Sequence, residues 1–202
     1  MSRPTPSPLW IRLLVLQAGL WLFGISVAMM VRANLGLASW DVLHEGIAAR
    51  TGLPFGWVVI GVAALVMLAW VPLRQRPGIG TVCNVIQIGL GAELGLWLLP
   101  ETDGLPARAV LLLAGVGLNG VATSLYIGAG FGPGPRDGLM TGLAARGYSI
   151  RLVRTTIELT VLAAGWLLGG TVGVGTLLYA LTIGPIVHAT LPQVTRRLRT
   201  ST

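Results

Sequence analysis

The hydrophobic positions of this chain fall in long, nearly unbroken runs, with neither the strict alternation of a half-buried strand nor the narrow stripe of a surface helix. Six runs approach the ~20 residues that carry an α-helix across a ~30 Å hydrocarbon core. They cover residues 9–31, 55–71, 81–99, 107–129, 152–168 and 176–191. The pattern predicts an all-α membrane protein with six transmembrane helices. The first run follows Arg3 and Arg12 but is longer than the apolar part of a signal peptide and ends without a small-x-small cleavage site, so it reads as a retained helix.

The polar connections repeat. At an offset of 96, GLASWDVLHEGIAAR (Gly36 to Arg50) aligns with GPGPRDGLMTGLAAR (Gly132 to Arg146), with seven of fifteen positions identical. Chance at this composition would give about one or two. One residue is then lost, and Gly78-Ile79-Gly80-Thr81 aligns with Gly173-Val174-Gly175-Thr176 at offset 95. Each half therefore reads as span, Gly-rich bend with a short helix, span, GxGT, span. With three spans in each, the second half enters the membrane from the opposite side. The expected architecture is one polytopic domain over 1–202, built of two inverted repeats at about 9–99 and 107–192, with a basic tail at 193–202.

Composition agrees with a membrane location. The 202 residues are 53% hydrophobic and 10% charged, against about 25% charged in an ordinary soluble domain. A net charge of +7 first suggests nucleic acid, but no basic stripe interleaved with stacking residues is present. The charge is sided instead. Arg3 and Arg12, Arg74 and Arg76, then Arg136, Arg146, Arg151 and Arg154, and finally Arg196, Arg197 and Arg199 occupy alternate connections. These would be cytoplasmic. The other connections are near neutral around Asp41 to Arg50, acidic at Glu101 and Asp103, and uncharged at 169–173. Both termini are expected inside.

GLASWDVLHEGIAARTG, PGIGT, FGPGPRDGLMTGLAARG and GWLLGGTVGVGT followed by IGP resemble the YczE/YitT-type bacterial integral membrane proteins. The resemblance runs from Gly24 to Pro192 and implies a bacterial cytoplasmic (inner) membrane protein. It implies no settled activity, so function rests on the polar residues.

In the first short helix Asp41, His44, Glu45 and Ala48 share one face, with Ser39 suited to cap it. In the second, Pro135 suits the first helical position and Asp137 falls in the first turn. Two readings stay open. The aspartates cap helix starts, or both helices dip into the membrane from opposite faces toward a shared midplane site. In the second case Arg136 and Asp137 line the inner mouth, and Trp40, Asp41, His44 and Glu45 the outer one. Trp40 alone reads more simply as an interfacial belt aromatic.

Within the spans, Glu158 follows Arg154 by one turn, either as a self-neutralising pair near the interface or as functional charge at depth. Glu93 and His188 hold equivalent places in the repeats. Both suit interfaces, and Glu93 facing a cavity would suit proton coupling. Gly80, Asn84, Gln87, Gly91 and Gly95 form a small and polar face that predicts helix packing, as do Gly115, Asn119 and Tyr126.

The Gly-rich run at 128–134 follows a span rather than a strand, HExxH is absent, and Cys83 is the single cysteine. No enzyme activity, metal or cofactor is expected. The expected partners are the lipid bilayer, a small-molecule solute and a second copy of the chain, and not nucleic acid. The sequence leaves two functions: a small inverted-repeat transporter of an unidentified solute, or a non-transporting accessory protein partnering a biosynthetic or export system. A cavity holding Glu158 or Glu93 favours the first, and paired groups at the interfaces favour the second.

Overall fold

A computed structural model describes residues 7–200. Arg3 lies outside the described residues, as does the side chain of Arg199. All regular structure among the described residues is helical: α1 (Leu9–Ala33), α2 (Ser39–Thr51), α3 (Phe55–Leu68), α4 (Trp70–Leu73), α5 (Ile79–Leu98), α6 (Leu105–Gly128), α7 (Pro135–Ala144), α8 (Ile150–Leu167) and α9 (Val174–Thr200). Pro72 lacks the N–H that would continue the ladder, and α3 breaks from α4 at Ala69.

Five helical segments are long and apolar enough to cross a membrane: Leu9–Ala33, Phe55–Leu73, Ile79–Leu98, Leu105–Gly128 and Val174–Leu198. The sixth expected run forms α8, which carries Arg151, Arg154 and Glu158 within its 18 residues and so falls outside that class. α9 continues through Pro192 to Thr200, so residues 193–200 of the expected tail are helical.

α1 and α6 form the centre and run antiparallel, each starting where the other ends. Glycines let their backbones meet: a Cβ at Gly19 would lie 2.8 Å from the Tyr126 nitrogen, and one at Gly115 3.1 Å from the Ser26 oxygen. α5 lies on α1 through Gly24, Gly91 and Gly95, and α9 lies on α6 through Gly120 against Ile186. The small face expected on α5 is thus a packing face at Gly91 and Gly95. Leu16, Leu20, Phe23, Val27 and Met30 of α1 supply much of the buried core. Outside it, Leu14, Leu65, Trp97, Val110, Leu159 and Leu181 are exposed. So large an apolar exterior needs a covering phase such as lipid.

Equivalent residues of the two halves make the same hydrogen bonds, each to the other half. Gly80 N–H donates to Phe131 O at 3.0 Å, and Gly175 N–H to Leu35 O at 2.8 Å. Arg12 Nε donates to Ala129 O at 3.0 Å, and Arg108 Nε to Ala33 O at 2.7 Å. Arg50 also donates to Leu168 O, and Arg146 to Pro72 O, one residue short of the equivalent Leu73. Within each half the GxGT threonine accepts from the first glycine, Thr81 from Gly78 at 3.1 Å and Thr176 from Gly173 at 3.2 Å. The lost residue falls just after Arg50, because α3 and α8 begin at matching distances after Gly52 and Gly147, both at positive φ.

One packing is not repeated. α3 lies on α5, where a Cβ at Gly89 would come 2.4 Å from Gly56 O and 2.5 Å from Ile60 Cγ1. Its counterpart α8 packs on α2 and α7 but stands away from α9, and around Gly184, the equivalent of Gly89, nothing lies within 4 Å of a Cβ.

Candidate functional site

The gap between α8 and α9 is a cavity of about 450 Å³, within the range of small-ligand sites. Its wall draws on seven helices, with Phe23 coming from α1. Ser39 and Trp40 open α2, and Pro135, Arg136 and Asp137 open α7; Asn84 comes from α5, Tyr126 from α6, Arg154 and Glu158 from α8, and Tyr179, Gly184 and His188 from α9. The two Gly-rich bends therefore bring both short helices to one place by their N-terminal ends.

Ala38 and Gly134 are the N-caps, and neither helix has a side-chain cap. This corrects the expectation for Ser39, which is the first residue inside α2. The aspartates do other work. Asp41 Oδ1 lies 3.2 Å from His44 Nδ1, and Asp137 Oδ2 accepts from the Tyr126 hydroxyl at 3.0 Å. Asp41 and His44 are each 4% exposed. They line a small adjoining cavity of about 30 Å³ that shares Trp40, Asn84, Pro135 and Arg136 with the larger one. Burial lowers the His44 pKa below its usual 6.5, and the Asp41 carboxylate offsets this only in part.

Arg136 stands between aromatic rings, its guanidinium carbon 5.8 Å from the Phe23 ring centre and 5.7 Å from that of Trp40. Both are cation–π distances. Burial opposes its charge, but Asp41, then the Tyr179 hydroxyl and Asp137, outweigh that and raise its pKa. Trp40 is 4% exposed, so it is a core residue of this site and not a belt aromatic. Arg154 and Glu158 line the cavity without forming an ion pair with each other among the described residues.

Of the residues singled out in the sequence, Arg136, Asp137, Arg154, Glu158 and His188 thus share one cavity, with Asp41 and His44 beside it. Two fall elsewhere. Glu93 Oε1 accepts from Gly56 N–H at 2.6 Å and ties the start of α3 to α5. Glu45 Oε2 accepts from Thr171 N–H at 2.5 Å and ties α2 to the connection before α9. Both carboxylates satisfy backbone donors that would otherwise lack partners. Asn84, read as part of a packing face, instead reaches the cavity, and Phe23 and Tyr179 carried no signal beyond an aromatic in an apolar run. Tyr179 donates to Asn119 Oδ1 at 2.9 Å and Asn119 to Ser26 Oγ at 2.8 Å, so a polar chain links α9, α6 and α1.

Comparison with known proteins places this geometry among relatives without assigned activity. Residues 10–192 match a family described as of unknown function, DUF6198. An uncharacterized protein of Haemophilus influenzae is 39% identical over 90% of this chain and 84% of its own. The uncharacterized membrane protein YczE of Bacillus subtilis is 35% identical over 85% of this chain and 80% of its own. YyaS of the same organism is 25% identical over 88% and 91%. No solved structure matches.

Proposed function

The chain belongs to the DUF6198 family, and on that premise we propose that this multi-pass membrane protein is a small inverted-repeat transporter moving a small polar or amphipathic solute by alternating access. It sits in the bacterial inner membrane with both termini cytoplasmic. The observation that carries this reading is the cavity lined by Arg154 and Glu158, neither of which forms an ion pair among the described residues. Ionisable groups at membrane depth cost several kcal/mol and face a functional interior when they persist.

α8 is the sixth span in this account. Its 18 residues reach about 27 Å at ~1.5 Å per residue, and Arg154 and Glu158 face the cavity. Reciprocal hydrogen bonds, in which i of one half meets j of the other and the converse, are the pattern a two-fold relation generates. Three spans per half put that axis in the membrane plane, with the two short helices entering from opposite faces. The unequal packing of α3 on α5 and of α8 away from α9 supports alternation, because exchanging the two arrangements would close this cavity and open its counterpart.

Purified protein in proteoliposomes, offered a panel of small polar solutes, is expected to take up at least one. Glu158→Gln should lower that uptake about tenfold or more, the usual scale for losing a charged hydrogen-bonding group, while the variant remains folded. Absence of flux for every solute would favour the accessory role.

A further inference from the structure

Polar groups of both kinds line the cavity. Donors gather at the starts of the short helices, beside the Asp137 carboxylate, which is engaged by the Tyr126 hydroxyl. The Arg136 guanidinium has aromatic rings near it but makes no hydrogen bond or ion pair among the described residues. Asn84, 8% exposed, lines the wall and makes no side-chain hydrogen bond either. Its Nδ2 stands 3.3 Å from where a Cβ on Gly134 would be, at the start of α7. The uncapped N-termini of α2 and α7 add backbone donors at the same place, and an anion bound there meets the positive ends of both helices. On α8, Glu158 contributes a carboxylate that has no ion-pair partner among the described residues.

Charge limits what fits. Arg136 and Arg154 share the cavity with Asp137 and Glu158, with Asp41 just behind, so basic and acidic groups line one space. A free anion would leave Glu158 without a complementary group, and a free cation would leave the donor cluster empty. A molecule carrying both signs meets the donors and Glu158 together and brings no net charge into a low-dielectric site. We propose that the cavity binds a free amino acid-type zwitterion, its carboxylate held by Arg136 and Asn84 at the start of α7 and its ammonium by Glu158. This inference rests on the transporter reading for its setting, but binding can be measured without flux.

The test is thermal unfolding of the full chain in detergent with alanine, leucine and phenylalanine as free amino acids. Each is set against its decarboxylated amine, its deaminated carboxylate and inorganic phosphate. At least one amino acid is expected to raise the melting temperature in a saturable way, with its amine and its carboxylate each weaker by about tenfold or more. Arg136→Gln should remove the effect, with Arg136→Lys restoring part of it. Glu158→Gln should remove the preference for the amino acid over its deaminated carboxylate. Equal or stronger stabilisation by the amine, the carboxylate or phosphate would overturn the proposal, as would no response to any of the three amino acids. Uptake of a solute that is not zwitterionic would end this inference and leave the transporter reading standing. Zwitterion binding without flux would do the reverse.

Discussion

Arg136 and Trp40 occupy equivalent positions in the two halves, yet one carries a fixed charge and the other an indole, and they meet in space at 5.7 Å. The lining of the cavity thus draws on positions where the halves differ, beside Asp137, which matches Asp41 of the first half. On α8, Arg154 and Glu158 correspond to Val59 and Ala63 of α3, which line the small apolar side of the adjoining cavity. Ionisable residues in apolar runs were legible because their cost makes them conspicuous. Asn84 was not, since a polar residue on a small face has a commoner explanation, and Trp40 was open between the mouth of the site and an interfacial belt. His44 gives a residue-scale prediction. Its folded pKa lies below the usual 6.5, so the unfolded state binds more protons in that window. Its contribution is fully present above about pH 6.5 and is lost as pH falls toward the folded value. Melting temperature against pH should drop on the acid side, and His44→Asn should flatten that slope.

At the scale of elements, the long apolar runs were read directly as helices, because in lipid a single segment satisfies its backbone only as a helix. Segment ends and contacts were less accessible. The reach of α9 to Thr200 and the break at Ala69 depend on packing and on where proline falls. Glu93 and Glu45 carried the ionisable signal, but each is taken up by one backbone N–H, and no spacing in the sequence reveals that partner. The glycines at the helix contacts give a paired prediction. Gly89→Ala would drive a methyl into Gly56 O and Ile60 and should destabilise the protein by about 1–3 kcal/mol. Gly184→Ala meets open space and should leave the melting temperature unchanged. If α8 closes on α9 during the cycle, the same substitution should still slow uptake. Equal destabilisation by the two would contradict the unequal packing.

For the whole molecule, the repeat was visible because both halves retain the second glycine of GxGT and the arginines at 12, 50, 108 and 146, which bond across to the other half, and the GxGT threonines, which bond within each half. Which half stands open was not visible, because two nearly equivalent sequences encode both arrangements and only tertiary packing separates them. Sidedness can be checked at Glu101, whose side chain is 91% exposed while paired with Arg32 at 3.6 Å. In a Cys83→Ser background, Glu101→Cys should react with an impermeant maleimide on intact cells; labelling only after permeabilisation would reverse the topology. The central claim, exchange between two arrangements, is tested most directly by disulfide formation across the gap. Thr155 and Gly184 correspond to Ile60 and Gly89, which touch. Thr155→Cys with Gly184→Cys, in the Cys83→Ser background and oxidised in native membranes, should cross-link and stop uptake until reduced. A folded double variant that never cross-links would contradict exchange between the two arrangements.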